Sequence, residues 1–271
     1  MRRVHSTMLR TERSGDLVRV WLSSWRSRLF GYGVHVFLWR GVLIDTGFPA
    51  VGEEVRTALR ELRPRGAILT HGHEDHAGNA DVVAGAGLPM WRSADTPAVI
   101  RESHRMAAYR RVTWGRPRRV DVPIEPLDPA PLRVVHTPGH SRDHHVVWDP
   151  EREVLFSADL FLGVKVRVAR PEEDVRALIA SLRQAAALRP RVMWDAHRGA
   201  VPDPVAALEA KAGWLEDLID RVERRRALGE PDESIARSEL GPPGAVDVVS
   251  FGDLSRVNLV RAIRQAATPA A

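Results

Sequence analysis

Apolar, mostly β-branched residues recur through two early stretches, 16–22 and 34–45, and both read as strands. The second folds back on itself: Val34-His35-Val36-Phe37-Leu38 and Val42-Leu43-Ile44 flank Trp39-Arg40-Gly41, a hairpin signal, and its second arm runs into Asp45-Thr46-Gly47. At 51–62 the period lengthens, with Val51, Val55, Ala58, Leu59 and Leu62 on one face of a helix that Pro64 closes. A short buried strand over 67–69, a helix over 80–86, a strand over 88–91 and a helix over 93–111 follow. Such alternation predicts an α/β fold in which helices cover a central sheet.

The second half repeats the texture. A strand over 132–135 precedes a hairpin whose arms, 146–148 and 154–156, flank Asp149-Pro150-Glu151-Arg152. A helix over 171–188 follows, with Pro171 in its first turn and Glu172, Glu173 and Asp174 complementing the helix dipole, and then a strand over 192–194. Beyond Pro204 the pattern is helical: 205–228 lines up Leu208, Ala212, Leu215, Leu218, Ile219 and Val222, and a last helix lines up Leu254, Val257, Val260 and Ile263. Pro231 and Gly241-Pro242-Pro243-Gly244 separate the two. A core domain over 1–203 is therefore expected, with a helical extension over 204–271 packed on it or on another subunit.

A chain of 271 residues can bury a sizeable core. It contains no cysteine, which excludes disulfides, thiolate metal sites and cysteine nucleophiles, so histidine and carboxylate must hold any metal. The basic start Met1-Arg2-Arg3 leads into Arg10, Glu12, Arg13 and Asp16 rather than an apolar run. Neither a signal peptide nor a membrane span is expected, and the default is a cytoplasmic protein. The formal charge is +5, carried almost entirely by arginine; Lys165 and Lys211 are the only lysines. Seven arginines crowd 101–119 around Tyr109 and Trp114, a segment that reads as a solvated face and, secondarily, as a surface for an anionic partner.

The chemistry is concentrated in Thr70-His71-Gly72-His73-Glu74-Asp75-His76, where three of the chain's 11 histidines fall within six residues. In an extended segment His71 and His73 point to one side and converge, Gly72 permits a tight backbone, and Asp75 and His76 point elsewhere as the chain turns. Two metal positions follow more readily than one, and nitrogen and oxygen ligands favour zinc. The strands expected before His71, His140, Asp159 and His197 each end within a few residues of these side chains, where ligands gather in layered α/β folds.

The ordered set His71-Gly72-His73-Glu74-Asp75-His76, Thr137-Pro138-Gly139-His140-Ser141, Ser157-Ala158-Asp159 and His197 resembles the metallo-β-lactamase fold superfamily of metallohydrolases. The resemblance spans about residues 16–200, and the helical tail looks like that of the branch containing β-lactamase-like protein 2 and related hydrolases or endoribonucleases. It implies an αββα sandwich with a metal site at one edge. His71, His73 and His140 would hold one metal, Asp75, His76 and His197 a second, and Asp159 would bridge them. Asp45 stands where a carboxylate would fix a ligand histidine's tautomer. Ala158 departs from the family, which often has glycine there, and Glu74 receives no role.

Two divalent ions, Zn²⁺ ahead of Mn²⁺ or Fe²⁺, could activate a shared water and polarise a carbonyl or phosphoryl oxygen, with Asp75 either ligand or proton acceptor. His136, His144 and His145 are expected to be structural or to support ligands. Lys165, with Arg167 as competitor, and more weakly Tyr109 and Arg110, are candidate substrate contacts. The leading reading is a hydrolase of a small ester, thioester or lactone. A phosphodiesterase or endoribonuclease acting on nucleic acid, an iron sulfur dioxygenase, and a non-catalytic binding protein are the competitors. β-Lactam hydrolysis and membrane partners are not expected, and a homodimer is allowed.

Overall fold

The computed structural model describes residues 7–29, 31–103, 106–120 and 123–263. It contains two compact units, Met1–Val135 with Val147–Pro150, and His136–Val146 with Glu151–Ala271. The residues read for an export signal, 1–6, lie outside the described residues.

The first unit is built on a six-stranded sheet in the order β1 (Thr7–Ser14), β2 (Leu17–Ser24), β3 (Val34–Trp39), β4 (Val42–Ile44), β5 (Gly66–Ile68), β6 (Met90–Trp91). Strands β1 to β4 are antiparallel neighbours, and β1 pairs with β2 in register from Thr7↔Ser24 to Ser14↔Leu17. No strand was expected over 7–14, because residues 10–14 are exposed and lack an apolar alternation; backbone pairing with β2 specifies it instead. β4, β5 and β6 run parallel, joined by α2 (Gly52–Leu62) and α3 (Ala80–Gly85). The buried β4 and β5 read as continuous apolar runs, as parallel strands covered on both faces do.

A helix α1 (Trp25–Leu29) follows β2. The single helix expected over 93–111 is two, α4 (Thr96–Ser103) and α5 (Ala108–Trp114), with 104–105 outside the described residues. Ala107, at φ −57° and ψ 151°, is extended, so the helix restarts after it. Burial of Met106 and Arg110 outweighs the local helix propensity. Trp114 packs on Phe48 with ring centroids 4.9 Å apart.

A second sheet has the order β11 (Gly199–Val201), β10 (Val192–Asp195), β9 (Val154–Ala158), β8 (His145–Asp149), β7 (Arg133–His136). β9 and β10 are parallel, linked by α6 (Val175–Ala187), and their register slips between Trp194 and Asp195. α6 starts four residues later than Pro171. The Asp174 side chain caps it, accepting from the backbone N–H of Arg176 and Ala177 at 2.9 and 3.0 Å. The short strand β11 was not anticipated; it forms a hairpin with β10 pairing Asp195 with Gly199.

In α7 (Pro204–Ala227) the anticipated face is buried, and α7 packs on α6. Pro231 precedes a further helix, α8 (Asp232–Leu240), followed by α9 (Ala245–Val249) and α10 (Arg256–Ala262). Of the face expected on the last helix, Val260 and Ile263 are buried while Leu254 and Val257 are half-buried. Arg225 and Arg221 of α7 both donate to Glu239 of α8, and Arg226 donates to the Val260 carbonyl of α10. No helix among the described residues is long and apolar enough to cross a membrane.

One buried cluster in the first unit is open to test. The fully buried Asp149 carboxylate accepts from Trp39 Nε1 at 2.7 Å and from Arg40 Nε at 2.5 Å. Asp149→Ala would strand both donors and is expected to lower the unfolding free energy by about 2–4 kcal/mol. Urea denaturation checks this, and a loss below about 0.5 kcal/mol would show the cluster to be dispensable.

Candidate metal centre

In the first unit the site grows from the end of β4. Asp45 follows the strand in the left-handed region, φ 63°, and is 2% exposed. Its Oδ1 accepts from the Thr70 backbone N–H at 2.8 Å and its oxygens face the Thr70 hydroxyl at 2.9 Å, while Oδ2 lies 2.7 Å from His76 Nδ1. A carboxylate acceptor there places the proton of His76 on Nδ1 and makes Nε2 the lone-pair atom. The Thr70 hydroxyl gives its proton to Asp45, so 3.1 Å away it accepts from His71 Nδ1, and His71 likewise presents Nε2. One carboxylate thereby sets the tautomers of two histidines.

His71 Nε2 and His73 Nδ1 lie 3.0 Å apart, as the two-residue spacing predicted. His76 does not diverge from them. His76 and Ala77 both donate their backbone N–H to the His73 carbonyl, at 3.1 and 2.8 Å, and this turn returns the His76 ring to a centroid 4.2 Å from that of His71. Asp75 is buried on the same turn. The turn is clamped from outside, because Thr46 donates its backbone N–H and its hydroxyl to the His76 carbonyl. Gly78 is required there: a Cβ would fall 2.1 Å from the Glu74 carbonyl oxygen.

Glu74, given no role from sequence, forms a buried two-point ion pair with Arg110, whose Nε donates to Oε1 at 2.7 Å. Arg110 was expected as a substrate contact, but its guanidinium fork is engaged inside the unit and braces the histidine turn. Tyr109 is half-buried on α5, where its carbonyl accepts from the Thr113 hydroxyl. Of the arginines over 101–119, Arg118 faces Asp81 at 3.5 Å, and Arg101, Arg111, Arg116 and Arg119 are exposed.

In the second unit three strand-end loops converge. The loop carrying His140 lies against the start of α6: a Cβ on Gly139 would sit 2.4 Å from Leu178 N, and Ser181 donates to the Pro138 carbonyl at 2.7 Å. Asp159 follows β9 and offers one oxygen to each of two imidazoles, Oδ2 3.3 Å from His140 Nε2 and Oδ1 3.3 Å from His197 Nε2. His144, expected to be a support, is one: its Nε2 accepts from the Asp159 backbone N–H at 3.2 Å, while Nδ1 faces the Thr137 carbonyl at 3.1 Å. His136 and His145 bind the Arg142 and Asp143 carbonyls instead. Asp195, at the end of β10, accepts from the backbone N–H of His197, Arg198 and Leu162, each within 2.9 Å.

Three groups in this unit were not identified as contributors. Glu173 Oε1 lies 3.7 Å from His140 Nδ1, and burial raises the pKa of its carboxyl against the opposing pull of His140. Burial also raises Asp195, against His197. Lys211 is buried, and desolvation lowers its pKa to about 8 although Glu173, Asp195 and Asp159 favour its charge. Of the two lysines singled out by rarity, the one expected to contact substrate, Lys165, is exposed in the loop after β9, as is Arg167.

The donors are imidazole nitrogens and carboxylate oxygens, almost all buried, and neighbouring groups set the tautomers of His71 and His76. This fits a borderline divalent metal; isolated buried carboxylates would be costly without a cation. Ala158 adds a constraint. It adopts φ 46° immediately before Asp159 and is 4% exposed. Ala158→Gly is expected to change stability by less than about 1 kcal/mol, because relief of the left-handed conformation offsets the lost methyl and the freer unfolded chain. Ala158→Val should cost more than about 2 kcal/mol, since a branched side chain resists this conformation. Equal unfolding midpoints for the two variants would contradict the assignment.

The family model of the metallo-beta-lactamase superfamily matches residues 39–197. The chain is 28% identical over 190 residues to a beta-lactamase-like protein 2 homolog of Drosophila melanogaster, covering 63% of this chain and 59% of that protein. It is 26% identical over 209 residues to an atrochrysone carboxyl ACP thioesterase of Aspergillus novofumigatus, covering 75% of this chain and 58% of the relative. Both matches thus span less than two thirds of the relative. Among solved structures, a metallo-beta-lactamase family protein of Thermus thermophilus aligns with a TM-score of 0.60 at 16% identity, over 96% of this chain and 93% of that one.

Proposed function

The chain belongs to the metallo-beta-lactamase superfamily, and from that membership we propose that it is a metal-dependent hydrolase with a dinuclear centre, acting on a small ester, thioester or lactone. By the family's motif, one ion is assigned to His71, His73 and His140, and the other to Asp75, His76 and His197, with Asp159 shared between them. The observation that carries the proposal is the Asp159 carboxylate, whose two oxygens each face a different imidazole at 3.3 Å, so that Asp159 would help to hold both ions. Two divalent ions held there, zinc in our reading, would supply a water of lowered pKa and polarisation of the oxygen of the scissile group.

The chain's own residues supply the rest. Asp45 and Thr70 fix which nitrogens of His71 and His76 face a ligand. Asp75 would hold an ion through one carboxylate oxygen and leave the other free to accept a proton. No serine or cysteine nucleophile is needed. A thioester or ester is favoured over a phosphodiester by the thioesterase relative and by the internal use of Arg110, which removes one arginine from the segment that would have gripped phosphates. Lys165, exposed on the loop that follows Asp159, is assigned to an anionic group on the substrate.

Elemental analysis of the purified protein should find about two divalent ions per chain, and a panel of thioesters, lactones and bis(p-nitrophenyl) phosphate should show turnover that chelation abolishes. His71→Ala and Asp159→Asn should each reduce kcat by about a hundredfold or more. Less than one metal per chain, or full activity in either variant, overturns the proposal. Turnover confined to the phosphodiester, with binding that weakens steeply as salt rises, would replace it with the nuclease reading.

A further inference from the structure

The four residues that begin with Asp159 are held in an unusual way. β9 ends at Ala158 with φ 46°, and Leu162 has φ 51°, so the segment between them cannot continue a sheet ladder. Its backbone groups are satisfied largely by side chains. His144 Nε2 accepts the Asp159 N–H, Asp195 Oδ2 accepts the Leu162 N–H at 2.8 Å, and Arg198 donates to the Leu162 carbonyl. The carbonyls of Leu160 and Phe161 are bonded by Lys211 Nζ, at 2.9 and 2.6 Å.

Lys211 differs from the other three. His144, Asp195 and Arg198 lie within or one residue beyond the family-matched span of 39–197, whereas Lys211 comes from α7, well past it. It is 2% exposed, and a buried ammonium is costly unless its surroundings hold it. Here two backbone carbonyls do so, in a region made negative by Glu173, Asp195 and Asp159. If α7 served only to cover apolar surface, an apolar residue between Leu208 and Ala212 would serve better.

We propose that Lys211 is a positioning residue: by binding the Leu160 and Phe161 carbonyls it fixes the turn that begins at Asp159 and so holds that carboxylate between His140 and His197. The helical region thereby contributes to the metal centre without touching it. This inference rests on the metal-dependent reading above.

The test compares wild type, Lys211→Met and Lys211→Gln after metal removal, measuring thermal unfolding of the stripped proteins and their affinity for Zn²⁺ alone by chelator competition. Lys211→Met leaves the Leu160 and Phe161 carbonyls without their donor, so it should fold with unfolding below the wild-type temperature and bind Zn²⁺ about tenfold or more weakly. Lys211→Gln, which keeps an N–H donor, should lie between the two. A purely structural lysine would move stability and leave Zn²⁺ affinity alone, so unchanged affinity in Lys211→Met overturns the proposal. Should Lys211→Met not fold, Lys211→Gln carries the test: weakening of about threefold or more supports it, and wild-type affinity overturns it. Failure of wild type itself to bind Zn²⁺ would instead count against the metal reading.

Discussion

The Asp45 carboxylate is the constraint from which the first unit's chemistry is built. It stands in a left-handed conformation at the end of a fully buried strand, where two oxygens must serve the Thr70 backbone, the Thr70 hydroxyl and His76. That single group closes the histidine run onto β4 and decides which nitrogen of each neighbouring ring carries its proton. With the tautomers fixed before any ligand arrives, the rings lose little orientational freedom on binding one, which is the physical meaning of a preorganised site. The Glu74 to Arg110 pair and the clamp from Thr46 brace the same turn.

The second unit uses the same device at different positions. Asp195 gathers three backbone N–H groups at the end of β10, and Asp174 caps α6 while its own N–H reaches the Gly139 carbonyl at 2.8 Å. Carboxylates at strand and helix ends thus organise the loops, and Asp159 turns each of its oxygens to an imidazole. The left-handed Ala158 beside it marks local strain at the point where the chemistry is concentrated. Strain persists there because the surrounding contacts over-determine the turn, and one of those contacts, from Lys211, originates in the helical region.

The identity of the ligand-type residues, their order and their attachment to strand ends were legible because each depends on local signals: apolar runs, turn residues and two-residue spacing. The core strands and most helices emerged for the same reason. β1 and β11 did not, since residues 10–14 of one are polar and exposed and the other is only three residues long, and both are specified by pairing with a neighbour. The break between α4 and α5 was invisible because local propensity there favours helix, and burial of Met106 and Arg110 prevails over it.

The sequence by itself determined the fold class and the chemistry available to the chain: no thiols, histidines and aspartates in a fixed order, and an α/β alternation that places them on loops. Only the tertiary structure decided how individual charged and ring side chains are used. It turned His76 back beside His71, buried Arg110 against Glu74, left Lys165 exposed and drew Lys211 inside. Whether a charge is solvated or buried depends on partners distant in sequence, 36 residues away for Arg110 and about 50 for Lys211. Spacing along the chain carries no record of such partners, because it is the packing of whole elements that brings them together.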